Sequence, residues 1–413
     1  MSRTMDRLSK SGLWIFTLFA TNEIPSVVVM FVALIMFLQM NVGMAMATIY
    51  SAMLLLPRAL QPLMRNFLPE ARDGGGWWCH LWWTECLMTV VMAAFALFMG
   101  RRPMMIFCML LCISLLSAWH DLLVRRYYAS RMNDQSGRWL SVLRVLSSQM
   151  AMVLTYGLMI MAVGVLEIYF RQKAMWYSWA LCCYILAGVY MFLTLLNMLF
   201  IDRSAPRPNP VPGQYRRRQW MMHALMLALL LLPQGLMFYC RTIFLLASPQ
   251  EGGLGRTLQD VGFAQGTIGV IAFLLGVTLG RRIQHKLNET HLELPLTMCL
   301  GLSPAVYLLM TQCPPDGLMV LSAYTFVAQL LFGLGLTGCQ RRIARISGDR
   351  YRNAVNPIHI PIISLCLLLP MAASGYLAER LSFSGFFLLD TLCAPVAWII
   401  VAAVSWYYKE ELS

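Results

Sequence analysis

Of the 413 residues, 59 % are apolar and only 12 % are charged, about half the charged share of an ordinary soluble domain. Apolar runs of roughly 20 residues recur from end to end, each long enough to cross a hydrocarbon core of about 30 Å, and the alternation of barrel strands is missing. This excludes a soluble globule and points to an all-α membrane protein; the net charge of +13 then reads as basic loops on one membrane face rather than a nucleic-acid surface.

The first apolar run, 13–39, follows Arg3, Arg7 and Lys10. It is too long for a signal peptide and no small-residue cleavage site follows, so it reads as a retained first helix. Further spans fall at roughly 43–67, 79–99, 103–125, 139–169, 174–200, 219–247, 261–280, 291–311, 317–340, 354–378 and 383–407, which makes twelve. Between the sixth and seventh lies DRSAPRPNPVPGQYRRR, rich in proline and arginine and without an apolar face. It reads as a cytoplasmic linker, 202–218, between a six-helix bundle at 1–201 and another at 219–413.

With the N-terminus in the cytoplasm, inner segments hold 24 of the 32 Lys and Arg, and outer segments hold Arg101, Arg102, Arg171, Lys173, Arg256 and Arg380. Arg58 and Arg241 fall inside spans. This asymmetry places both termini in the cytoplasm. The halves also echo each other: Trp14 precedes Glu23-Ile24-Pro25, and Trp220 precedes Pro233-Gln234-Gly235. Two such halves with a basic central loop describe the major facilitator architecture, whose site would be lined by spans 1, 4, 7 and 10.

An ionisable side chain at bilayer depth costs about 2.5–3.5 kcal/mol on insertion scales, so it normally faces a bundle interior or a wet cavity. Glu23 sits in FATNEIPSVVV, where Pro25 lacks an N–H and would free carbonyls near residues 21 and 22. Thr21, Asn22 and Glu23 would then form a polar patch at a broken helix. Two readings stand: a solute or proton site, or a kink whose glutamate pairs with an arginine. Arg58 and Arg241 could each bind an anionic solute group through a charge-assisted fork, or neutralise Glu23.

Glu85 lies one to two turns into span three and is expected to snorkel toward the interface. His120-Asp121, ahead of Arg125-Arg126, could be a proton relay or a cytoplasmic gate salt bridge. His223 is expected at the interface. Gln234, Gln265 and Gln329 are neutral polar groups that would bond between helices or touch solute. Asp390 has no evident partner. Gly262, Gly266, Gly269, Gly276 and Gly280, with Gly333, Gly335 and Gly338, allow close helix approach. Most of the 12 cysteines lie within spans, without CxxC or zinc spacing, and are expected as buried free thiols. No GxSxG, HExxH or phosphate loop appears, so neither an enzyme nor a cofactor is expected.

Three stretches resemble a known group. EGGLGRTLQDVGFAQGTIGVIAFLLGVTLG (251–280), SAWHDLLVRRYYAS (117–130) and IPIISLCLLLPMAASGYLAERLSFSGFF (360–387) are similar to the span 7–8, span 4 and span 11–12 regions of the AmpG-like muropeptide permeases. These form a branch of the major facilitator superfamily that also holds acetyl-CoA transporters; YSAMLLLPRALQP (50–62) is a fainter match. The chain departs from the branch in carrying Arg125 and Gln234 where members commonly carry acids, and in lacking a recoverable GxLxDRxGR signature around 62–74. The resemblance implies inward, proton-driven uptake of cell-wall sugar-peptides across a bacterial inner membrane; a monomer is expected.

The expectation is a secondary transporter. Asn22, Glu23, Arg58, Gln234, Arg241 and Gln329 would contact a small solute such as a muropeptide; Glu23, His120 and Asp121 would couple protons. The alternative from another class is a non-transporting membrane scaffold or sensor on the same fold. Lipid and protons are the other partners expected, with no nucleic acid.

Overall fold

The computed structural model describes residues 2–68, 76–131, 137–170, 175–201, 217–286, 289–347 and 359–407. Most of the expected linker 202–218 lies outside them, as do the side chains of Trp220 and His223. Among the described residues the chain is helical and without strands. That is the form in which a chain satisfies every backbone polar group without water.

In chain order the helices are α1 (Ser2–Val27), α2 (Ala33–Gln39), α3 (Met44–Met53), α4 (Leu56–Ala59), α5 (Gln61–Met64), α6 (Gly76–Leu97), α7 (Pro103–Arg131) and α8 (Gly137–Met152). They continue as α9 (Met159–Tyr169), α10 (Met175–Phe200), α11 (Arg217–Leu246), α12 (Leu258–Val261), α13 (Gly269–Lys286), α14 (Glu289–Gln312), α15 (Leu318–Ser347) and α16 (His359–Tyr407).

Among the described residues, nine helical stretches are long and apolar enough to cross a membrane. The last of them, Pro361–Ile400, is two crossings, because Ser382 (φ 59, ψ 164) breaks α16 where the sequence places a boundary. The 24-residue α14 and the interrupted run α3–α5 complete the twelve expected spans. The interruption has a local cause: Pro57 and Pro62 each start a new short helix, where a missing N–H is tolerated.

Pro25 does not break its helix. α1 runs through it to Val27, and the departure comes after it, in a π-helical turn over Val28–Val32. The Ser26 hydroxyl donates to the Asn22 carbonyl at 3.0 Å, one residue beyond the Thr21 carbonyl that the missing Pro25 N–H would have met. Two more π-helical stretches, Val153–Leu158 and Gly262–Ile268, interrupt the fifth and eighth spans; such wide turns re-aim the side chains that follow them.

The chain folds as two compact units. The first comprises α1 and α4–α10. Its core includes Trp14, Leu18, Leu123 and Tyr127, with the Trp14 and Tyr127 rings edge-to-face at 5.1 Å. The second comprises residues Leu34–Leu56, with α3, together with α11–α16. Residues 34–56 group here because α3 is fastened to α16: Glu379 accepts a hydrogen bond from the Ala45 backbone N–H at 2.9 Å, and the Thr48 hydroxyl lies 3.2 Å from the Ala372 carbonyl. Gly375 leaves room for the Met44 carbonyl.

The small-residue spacing on α13 and α15 is a close crossing. A Cβ at Gly276 would press on the Leu330 carbonyl oxygen, and one at Gly333 on the Phe273 carbonyl oxygen. Backbone cannot yield as a flexible side chain can. Gly276→Ala is therefore expected to cost about 1–3 kcal/mol, read as a lower thermal unfolding midpoint in detergent. Gly188→Ala on α10, where a Cβ meets nothing within 4 Å, is the control and should stay within about 0.5 kcal/mol.

All 12 cysteines are free, but only Cys182, Cys183, Cys240 and Cys339 are buried. Cys108 and Cys112, expected inside, are exposed one turn apart on α7. In a bilayer, lipid chains are as apolar as a core, so a thiol gains little by turning inward.

Candidate functional site

The interior of the first unit holds a polar network built on four long helices. Glu85 on α6 is 1 % exposed, and its Oε1 gathers three partners. Asn197 Nδ2 on α10 donates to it at 2.8 Å, Thr21 Oγ1 on α1 lies at 3.0 Å, and His120 Nε2 on α7 lies at 3.1 Å. Asn197 also donates to Thr21 at 3.1 Å. The single Thr21 hydroxyl proton has a second acceptor, the Leu18 carbonyl at 2.9 Å. That oxygen is thus enclosed by three polar side chains from three other helices. The expectation that Glu85 snorkels to the interface is therefore overturned.

Asp121 lies next to His120 in sequence and faces a different set. Arg125 donates to it at 2.7 Å through Nε, Gln61 at 3.0 Å and Asn22 at 3.0 Å. Gln61 also reaches the Ala118 carbonyl at 3.2 Å. Both Asp121 oxygens are thus occupied, and the side chain fastens α1, α5 and α7 together. Ser26 faces Ser117 at 3.0 Å and accepts a hydrogen bond from Arg58, which also approaches the Met30 sulfur at 3.5 Å.

The sequence candidates of the first half separate into two groups. Asn22, His120, Asp121 and Arg58 belong to this buried assembly. Glu23 does not: it is half-buried, and its hydrogen-bond partner among the described residues is the Ser148 hydroxyl at 3.3 Å. No cation among the described residues pairs with it. Successive helix positions point about 100° apart, which is how Asn22 and Glu23 come to face different neighbours.

In the second unit, Gln234 on α11 donates to the Leu300 carbonyl on α14 at 2.7 Å, and its neighbour Gly235 meets Pro370 of α16. Gln234 thus serves helix packing. Arg241, two turns further along α11, is 5 % exposed. Its guanidinium lies 5.2 Å from the centre of the Phe238 ring, and its Nε has no hydrogen-bond partner among the described residues. Gln329 on α15 is 8 % exposed and packs beside Gly269, at the end of the π-helical stretch. Thr242 donates to Gln265 at 2.9 Å. Asp390 is fully buried, and neither oxygen has a partner among the described residues.

No family model matches the sequence, and no curated protein matches it. Solved structures do. The POT family transporter PepTSo is 10 % identical, covers 97 % of this chain with 98 % of its own, and superposes with a TM-score of 0.69. The nucleoside transporter NupG is 13 % identical over 95 % of this chain and 98 % of its own, with a TM-score of 0.64. A bacterial homologue of the human lysosomal transporter Spinster, inward-facing and unoccupied, is 11 % identical over 95 % of both chains, again at 0.64.

The chain has the major facilitator fold. It is a helical multi-pass membrane protein in which the twelve expected spans can be traced among the described residues. At this level of identity the likeness reaches the fold alone, and the side chains described above have to carry the chemistry.

Proposed function

We propose that this chain is a proton-linked secondary transporter that takes up a small anionic solute by alternating access. The observation that carries the reading is Arg241: a cation nearly closed off from solvent, with a donor left unpartnered. Burying an unpaired guanidinium is expensive, and a chain keeps one where something else completes it. A solute carboxylate offers the planar, two-oxygen geometry that a guanidinium fits. Gln329 supplies a neutral contact, Arg58 and Asn22 stand in the same role in the first half, and Gln234 holds α11 against α14.

The acids and bases of the first unit supply proton coupling. Glu23, half-buried and held by one hydroxyl, is the carboxyl most easily reached by a proton. His120 and Asp121 lie deeper, in the network that ties the helices together. Neutralising a group there changes the balance between two conformations only so far as it interacts differently with each.

The resemblance of residues 117–130, 251–280 and 360–387 to muropeptide permeases supports sugar-peptides as the first solutes to offer and a bacterial inner membrane as the location, and the asymmetry of basic residues supports both termini inside. The fold neighbours, which include a nucleoside transporter and POT family transporters, widen the test panel.

The test is uptake into vesicles carrying the chain, with muropeptides, peptides, acyl-CoA compounds and nucleosides offered with and without an inward proton gradient. Accumulation of one anionic class that needs the gradient is the expected result. Accumulation of none, with folded protein present, contradicts it and leaves a scaffold or sensor. For the accepted solute, Glu23→Gln is expected to abolish gradient-driven accumulation while the protein stays folded; unchanged accumulation removes Glu23 from the coupling.

A further inference from the structure

We propose that Glu85 and His120 form one buried proton-binding site, which fastens α1, α6, α7 and α10 of the first unit and takes up a single proton as a pair. The proposal rests on the proton-linked reading above and supplies the residue that reading lacks. Glu85 lies in no motif, and sequence reasoning placed it at the membrane surface.

Glu85 Oε1 and His120 Nε2 are 3.1 Å apart, and both side chains are 2 % exposed. Thr21 and Asn197, the other partners of that oxygen, are 0 % and 2 % exposed and carry no charge. With a neutral imidazole donating through Nε2, the pair carries one negative charge in a low-dielectric interior. A proton arriving at Nδ1 gives an imidazolium facing a carboxylate, and the pair becomes neutral without breaking the bond between them. Interior charge is costly and a neutral buried pair much less so, which favours uptake of one proton but not of two.

The surroundings do not cancel this. On α7, Asp121 is already matched by Arg125. On α10, Tyr190 is fully buried beside Glu85, and on α6 Cys86 follows it; both are neutral groups that add no compensating cation. On α1, Glu23 faces Ser148 instead. Arg58 is directed to Ser26 and Met30. No other cation among the described residues reaches Glu85.

The site can be counted without any solute. Full-length protein in lipid nanodiscs, unbuffered, is taken from about pH 8 to about pH 5, a range in which histidine is the side chain that ordinarily changes charge, and bound protons are measured by acid titration. Wild type is expected to bind about one proton per chain more than Glu85→Gln. His120→Gln keeps an amide donor to Glu85 and is expected to show the same loss, so a folding failure of the first variant leaves a second route. A folded variant of either kind that binds as many protons as wild type overturns the proposal. If solute uptake ignores the proton gradient while the count still falls by one, the coupling reading fails and the site stands. If uptake is gradient-driven and the count is unchanged, the site fails alone.

Discussion

Replacing Arg241 with glutamine is expected to weaken uptake of the accepted anionic solute about 10- to 100-fold, mainly as a rise in the half-saturating concentration, because the charge-assisted bond lost is worth about 1.5–3 kcal/mol. The same substitution is expected to leave thermal stability unchanged or to raise it. Arg241 is 5 % exposed and leaves Nε without a partner among the described residues. Its desolvation is thus poorly compensated in the empty protein, and a neutral side chain of similar length relieves the cost. The opposite signs are what matter. A structural arginine would lose stability and uptake together; one kept for a solute loses uptake alone. Uptake in vesicles and unfolding in detergent, on the same preparations, separate the two.

Asp121 should behave in the reverse manner. Its oxygens accept from Asn22, Gln61 and Arg125, so Asp121→Ala strands three donors, one of them charged, in the interior of the first unit. The expected loss is about 3–5 kcal/mol, the range for breaking a buried ion pair by removing one partner. Asp121→Asn, which keeps an acceptor oxygen, should lose less. Combining Asp121→Asn with Arg125→Gln should recover part of the loss by removing the unmatched cation, and the non-additivity measures the coupling directly. An Asp121→Ala protein as stable as wild type would show that this latch does not hold the helices.

How far the sequence carried this differs from residue to residue. Hydropathy alone located the spans, even the break near Ser382, because a bilayer makes backbone satisfaction and apolar length nearly sufficient conditions for a helix. Pro25 misled: a proline inside a helix lacks one N–H, but α1 continues through it and the irregularity comes later, at Val28–Val32. Glu85 was misplaced for a more general reason. In water an apolar stripe reveals which side of a helix is inside; in lipid both sides are apolar, so the stripe vanishes. Along α6, Met88 and Met92 share the buried face of Glu85, while Leu87, Val90 and Leu97 are exposed, and no difference in residue class marks one set from the other. The signal that was present is positional. Glu85, His120 and Asn197 are polar residues on three different spans, and polar groups at depth have to find one another. Asp390 obeys no such rule among the described residues; nothing in the structure pairs it.

The central claim is that solute and proton enter together. It is tested most directly in vesicles that hold the chain and a trapped pH-sensitive dye, with no initial proton gradient, when the accepted anionic solute is added outside. The account predicts acidification of the interior that begins with the solute and is lost in Arg241→Gln. Entry of labelled solute with no change in internal pH would contradict it.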